Sequence, residues 1–226
     1  MCSRFSLTSP PDAVRRLFGY DEQPDFPPRY NIAPGQPVAV VRTGPNGRRQ
    51  FHLVRWGLIP SWVKDPGAFA TLVNARAESL DDKPSFRGAV RHKRCLVPAD
   101  GFYEWAGSKG ARRPYFVRPR VPGPIAFAAL YEEWMGADGS EIDTMAIVTV
   151  PANRIVATIH DRMPAILPVE AFADWLDCRN VRADEAMRLL APAPDDLLDA
   201  FEVSTAVNDP GAHGPDLQLP LRPTLF

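Results

Sequence analysis

Two apolar-rich runs, PVAVVRT and RRQFHLVRWGLI, flank the turn sequence GPNG and predict a β-hairpin over residues 37–59. The runs RCLVPA, GFYEWA, PYFVR and PIAFAALYEEW read as further strands separated by Gly-rich or Pro-rich turns. DTMAIVTV is continuous and β-branched, the pattern of a strand buried on both faces. Helical spacing is confined to short stretches. SPPDAVRRLFG reads as a helix with Ser9 as N-cap and Gly19 as its stop, and KPSFRGAVRHK as a second. PANRIVATIH carries a proline at a first helical turn, PVEAFADWLD and ADEAMRLLA are amphipathic, and FEVSTAV predicts a late strand. This interleaving suits neither a βαβ array nor a repeat solenoid. It predicts an α+β fold, a single domain over 1–226 with a mostly antiparallel, barrel-like β core and flanking short helices.

Composition adds constraints rather than a new picture. The 25 prolines among 226 residues are about twice average usage, which implies fixed turns and few long helices. Cys2, Cys95 and Cys178 form neither an even disulfide set nor a CxxC pair, as expected in a reducing compartment. No stretch of 18 apolar residues is present and Arg4, Arg15 and Arg16 interrupt any leader-like run, so the chain reads as soluble and intracellular. The net charge of −1 hides a division: residues 1–120 carry 20 Lys+Arg against 10 Asp+Glu, and residues 121–226 carry 6 against 17. A basic half of this kind suits a polyanion-facing surface, or two solvated faces of opposite sign.

The candidate chemistry starts at MCSRF. Removal of Met1 would leave Cys2 as a 1,2-aminothiol, with an α-amine of pKa ~7.7–8.0 beside a thiol of pKa ~8.5. Roughly a tenth of such an amine is neutral at pH 7, enough to attack an aldehyde, and the thiol then closes a thiazolidine. In the strand-like FYEW, Phe102 and Glu104 share one face, so aromatic surroundings would desolvate Glu104 and raise its pKa. His160 precedes Asp161-Arg162 and suits proton exchange near neutral pH. Asn74 and Arg76 in NAR project the same way if extended, a pairing of neutral hydrogen bonding with a phosphate contact. The scattered histidines and cysteines give no structural zinc spacing, and phosphate-loop patterns are absent, so neither metal nor cofactor is expected. On the residues alone, a thiol enzyme and a non-covalent single-strand binding module stand level.

Taken together, MCSRF, YNIAPGQ, WGLIPSW, NARAES, CLVPADGFYEW and IHDRMPAIL resemble the SOS-response-associated peptidase (SRAP) family across nearly the whole chain. That resemblance implies the SRAP fold and a protein that shields abasic sites in single-stranded DNA. Cys2 is implied as the nucleophile after loss of Met1, Asn74 as the active-site amide, Glu104 as acid/base and His160 as the histidine. Arg4 and Arg76 are implied as phosphate contacts, and Trp62 and Phe86 as apolar wedges that interrupt stacking. It further implies a monomer without cofactor, metal or membrane, cytoplasmic or nucleoid-associated in a bacterium. Self-processing by a peptidase activity and an N-terminal-nucleophile amidohydrolase are the alternatives in enzyme chemistry. Two letters depart from the family pattern: Ser3 stands where glycine is usual, and Val63 where some relatives carry an aromatic.

Overall fold

The structure, a computed structural model, describes residues 2–108 and 110–221. In chain order it begins with β1 (Arg4–Leu7), α1 (Pro11–Phe18), β2 (Arg29–Ile32) and the hairpin β3 (Pro37–Thr43) and β4 (Arg49–Trp56). The short β5 (Asn74–Arg76) and α2 (Pro84–His92) lead into β6 (Arg94–Ala99), β7 (Gly101–Ala106), β8 (Arg113–Pro119), β9 (Ile125–Met135) and β10 (Glu141–Pro151). The chain closes through α3 (Arg154–Ala157), β11 (Arg162–Pro164), β12 (Ile166–Leu167), α4 (Phe172–Leu176), α5 (Ala183–Met187) and β13 (Leu198–Glu202). The predicted α+β class with a mostly antiparallel, barrel-like core is therefore the observed one.

Ring closure defines the barrel. β10 pairs in parallel with β4, β4 with β3, β3 with β6, β6 with β9, and β9 returns antiparallel to β10 from Met135↔Glu141 to Ala129↔Ile147. A five-stranded antiparallel sheet in the order β13-β8-β7-β1-β2 lies against it. The interface fills with aromatic side chains: Phe5 from β1 meets Trp56 edge-on at 5.2 Å and Phe127 at 5.9 Å between centroids. Alternation along β7 sends Phe102 into this large core and Tyr103 into a smaller cluster with Phe116, Val203, Val207 and Leu217 on the sheet's other face.

Local chemistry accounts for most element ends. Gly19 takes φ 70° and donates its N–H to Arg15 O at 2.8 Å, ending α1 as expected. Ser9 does not cap α1; Pro10 does, while the Thr8 and Ser9 amides both donate to Asp100 Oδ2. One carboxylate between β6 and β7 thereby fixes the exit of β1. The helix in PANRIVATIH is a single turn whose cap is Asn153, its side-chain oxygen accepting from the Val156 N–H at 3.0 Å. FEVSTAV is only partly strand: β13 stops at Glu202, and the Ser204 hydroxyl accepts from the Ala206 N–H to start a 3₁₀ turn over Thr205–Asn208. Gly57, next to β4, has φ 135°, and a Cβ there would lie 2.2 Å from Thr71 Cγ2, so the WGLIP turn requires glycine.

Arg94 is the largest polar side chain in the core, 1% exposed. Its guanidinium donates to four carbonyls: Trp175 O (2.6 Å), Val90 O (3.0 Å), Asp177 O (2.7 Å) and Val181 O (2.9 Å). It satisfies the carbonyl ends of α2 and α4 at once, a task no apolar residue can perform. Arg94→Met should destabilise the fold by about 3 kcal/mol or more, because buried carbonyls lose their donors. Urea unfolding should show a lower midpoint at unchanged slope, and a loss below about 1 kcal/mol would contradict this role.

Candidate active site around Cys2

Cys2 is fully buried, although it stands second in the chain. The antiparallel register of β1 on β7, Arg4↔Tyr103 and Phe5↔Phe102, carries the residues before Arg4 alongside the end of β7 that holds Glu104 and Trp105. From the other side β5 pairs in parallel with β10, Asn74 opposite Ile147 and Arg76 opposite Thr149. NAR is thus extended, and Asn74 and Arg76 share a side while Ala75 is buried on the other. Asn74 Nδ2 donates to the Cys2 carbonyl at 2.8 Å, and the Cys2 thiol faces Arg4 O at 3.6 Å. The second polar atom of the amide, Asn74 Oδ1, is buried with no hydrogen-bond donor among the described residues. An acceptor left in this way beside a potential nucleophile is a ready seat for a donor on a bound molecule.

Glu104 is 2% exposed. Burial pushes its carboxyl up to about 7, with the nearby Asp161 adding to the rise and the Trp105 N–H opposing it. The acid is therefore shared between its two protonation states at neutral pH, the condition in which a carboxyl can both give and take a proton. Burial, reinforced by the charge of Glu104, pushes the Cys2 thiol well up from its usual value. His160 lies just past α3, and burial lowers its imidazole below the ordinary value against the pull of Asp161. Its Nδ1 sits 3.0 Å from the Arg162 N–H and 2.9 Å from Asp161 Oδ1. The neutral ring accepts from Arg162, leaving its own proton on Nε2; the protonated ring donates to Asp161.

Three of the four predicted residues of the chemistry come together, and His160 joins them through its neighbour Asp161. Asn74 bonds Cys2, Glu104 acts electrostatically on the Cys2 thiol, and Asp161, adjacent to His160, acts on Glu104. One partnership was not anticipated from the sequence: Arg162 Nη1 and Nη2 grip the Glu78 carboxylate at 2.7 and 2.9 Å, and Nη2 also donates to Thr149 O. This bidentate pair ties NARAES to IHDRMP, and an acid and an arginine inside those two motifs were its only signal.

The predicted DNA contacts divide. Arg76 is exposed, and Trp62 is 58% exposed, its ring braced edge-on by Phe69 at 5.8 Å. Arg4 is tied down: its guanidinium donates to Asn31 Oδ1 (3.0 Å), Val207 O (2.6 Å) and Asn208 O (3.2 Å). All three partners are neutral, so among the described residues Arg4 forms no direct ion pair, although the charge of Asp209 acts on it, and the side chain anchors the C-terminal segment. Phe86 departs from expectation. It lies on the inner face of α2, 3% exposed in the main core, and a ring so placed has no face to offer a base. Val63 is likewise buried, against Ile59 and Trp134, leaving Trp62 as the exposed aromatic of its loop. Ser3 carries no strain, since no non-glycine residue described has a positive φ.

The chain matches the family described as SOS response associated peptidase (SRAP) over residues 1–210. It is 39% identical over 222 residues to the abasic site processing protein YoqW of Bacillus subtilis, covering 96% of this chain and 98% of that one. It is 32% identical to the abasic site processing protein HMCES of Gallus gallus, covering 98% of this chain and 78% of the relative. Among solved structures, a protein from Bacteroides thetaiotaomicron superposes with a TM-score of 0.86 at 24% identity, over 98% of this chain and all of that one, which shows the shared fold. With a match of that length and relatives this close, the chain belongs to the SRAP family.

Proposed function

We propose that this protein processes abasic sites in single-stranded DNA by trapping the lesion's aldehyde in a thiazolidine at Cys2, once Met1 has been removed. The observation that carries the reading is the burial of Cys2 with its carbonyl held by Asn74 and a carboxyl of pKa about 7 acting on its thiol. Relatives named for abasic site processing support the lesion as substrate, and the exposed Trp62 and Arg76 suit a strand held by stacking and phosphate contacts without sequence readout.

The chemistry follows from the groups at hand. His160 assists opening of the sugar hemiacetal, which frees the C1′ aldehyde. The neutral Cys2 amine attacks this carbon, one amine proton passes to the oxygen, and the protonated Glu104 gives that oxygen its second proton, so that water leaves and a protonated imine remains. Ionised Glu104 then takes the thiol proton as sulfur adds to the carbon of the protonated imine, which leaves the ring nitrogen neutral with its one proton and restores the acid. A thiol held so far from ionisation makes the amine the first nucleophile and the sulfur the second. The product contains the aldehyde carbon in a five-membered ring, which removes the electrophile that drives strand scission. Asn74 Oδ1 is placed to accept from the resulting ring nitrogen.

Incubation with an abasic oligonucleotide followed by denaturing electrophoresis should give a shifted band for the wild type and none for Cys2→Ala. Equal cross-linking by the variant would sink the assignment. For Glu104, the rate needs both a protonated carboxyl and a neutral amine, so it should rise with pH to a plateau between about 7 and about 8 and fall beyond it. Glu104→Gln, confirmed by mass to lack Met1, should be slower and lose the falling limb; retention of that limb would assign it elsewhere. The same carboxyl binds its proton more tightly folded than unfolded, so its contribution to stability is complete below pH 4.5 and is lost as pH rises through about 7. Glu104→Gln should accordingly gain stability over the wild type at pH 8, by about 2–3 kcal/mol before solvent relaxation is counted. Equal urea midpoints at pH 8 would mean the carboxyl carries no such penalty.

A further inference from the structure

At strand ends away from those carrying Cys2 and Asn74 lies a cavity of about 790 Å³. β5 and β11 leave β10 from its C-terminal half, between Ile147 and Pro151. The cavity instead occupies the turn between β3 and β4, the start of β6, the C-terminal half of β9 and the segment after α4. None of Cys2, Asn74, Glu104 and His160 lines it.

Its walls carry four arginines, Arg42, Arg49, Arg94 and Arg179, against the two carboxylates Glu133 and Asp177. Arg42 is neutralised by Glu133 at 2.9 Å, with Asp143 at 3.8 Å. Asp177 accepts from the Arg179 and Asn180 amides and from the Asn180 side chain, all neutral donors, and keeps its charge. Arg94 donates only to carbonyls, as described above. Arg49 donates to Phe18 O and Arg179 to Pro45 O, both at 2.9 Å, and neither forms an ion pair among the described residues. Asp177 acts on Arg94, so Arg49 and Arg179 are the two cationic groups that face this space without a carboxylate of their own, and each of their remaining guanidinium N–H groups is a directed donor. Tyr131 and Gln50 supply an aromatic surface and an amide in the same wall. The volume is that of a small-molecule site, several times what a lone oxyanion fills.

We infer that this cavity is a second anion site that takes the phosphate of a nucleotide, free or within a strand, with Arg49 and Arg179 as its principal contacts. The site is independent of the chemistry at Cys2. A smaller groove continues from it past His92, Cys178 and Arg179; its other two arginines are paired, Arg91 with Asp81 at 2.7 Å and Arg182 with Asp184 at 3.0 Å, so Arg179 is the arginine at the junction that forms no ion pair among the described residues.

Cys178, half-buried in the cavity wall, supplies a reporter, because Cys95 is fully buried. In a Cys2→Ala background, the rate of Cys178 alkylation is followed by mass spectrometry with dAMP in one arm and a short undamaged single-stranded oligonucleotide in the other. Protection is expected in at least one arm, dAMP marking a free nucleotide and the oligonucleotide alone marking a strand. Arg179→Glu, at an exposed position, should abolish protection and weaken binding of the protecting ligand about tenfold or more by calorimetry. Absence of protection in both arms, or equal protection in Arg179→Glu, overturns the assignment. Because the background variant cannot form a thiazolidine, failure here leaves the reading of Cys2 standing, and failure of that reading leaves this one.

Discussion

The structure depends on a strand that begins only a few residues into the chain and yet runs through the interior. β1 is hydrogen-bonded on one side to β7 and on the other to β2, and Phe5 at its centre fills the seam between sheet and barrel. Both of its ends are pinned, by Asn74 at the Cys2 carbonyl and by Asp100 at the Thr8 and Ser9 amides. A terminus normally frays because few contacts offset its conformational entropy. Here the contacts are those of a core strand, and a cysteine gains fixed coordinates that it would otherwise have only in mid-chain.

That placement has an electrostatic cost, visible in opposite displacements of three groups. Burial lifts the carboxyl of Glu104 and the thiol of Cys2 and lowers the imidazole of His160, in each case favouring the uncharged form. A site of neutral groups is poorly matched to stability as pH rises but well matched to carbonyl addition, in which protons move in both directions within one cycle. Arg162, by contrast, is held by a bidentate grip on Glu78, which joins the segments that carry Asn74 and His160.

Much of this was legible from residue order alone. The hairpin at 37–59, the strands of β6 to β10 and the parity of Phe102 against Tyr103 all follow from period-2 patterning, since each strand has a distinct inner and outer face. The grouping of Cys2, Asn74 and Glu104, with His160 next to Asp161 beside them, was implied by motif resemblance and not by periodicity. What escaped was decided by long-range partners. Phe86 reads like Trp62 in sequence, and only the packing of α2 on the barrel distinguishes a core ring from an exposed one. Ser9 has the chemistry of a helix cap, but Asp100, over ninety positions away, competes for it. Arg4 carries the charge of a phosphate ligand, yet the returning C-terminal segment supplies the carbonyls that hold it. FEVSTAV keeps only Phe201 and Glu202 as strand, and the Ser204 hydroxyl starts a turn after them, a local effect that β-propensity averages over.

Closure of the barrel has a consequence for how the molecule meets copies of itself. Each of the five strands of the ring has a partner on both sides, although β4 meets β10 only at Arg55 and Trp56 and β3 meets β6 only at Val41↔Leu96, so the ring has no free edge strand. In the companion sheet the edges are β2, only four residues long, and β13, five residues long. The 3₁₀ turn over Pro215–Gln218 lies against β2, and Pro220 bridges back to Val203 just beyond β13. Both edges of the companion sheet are thus short and flanked by the C-terminal segment, which limits the template offered for edge-to-edge pairing.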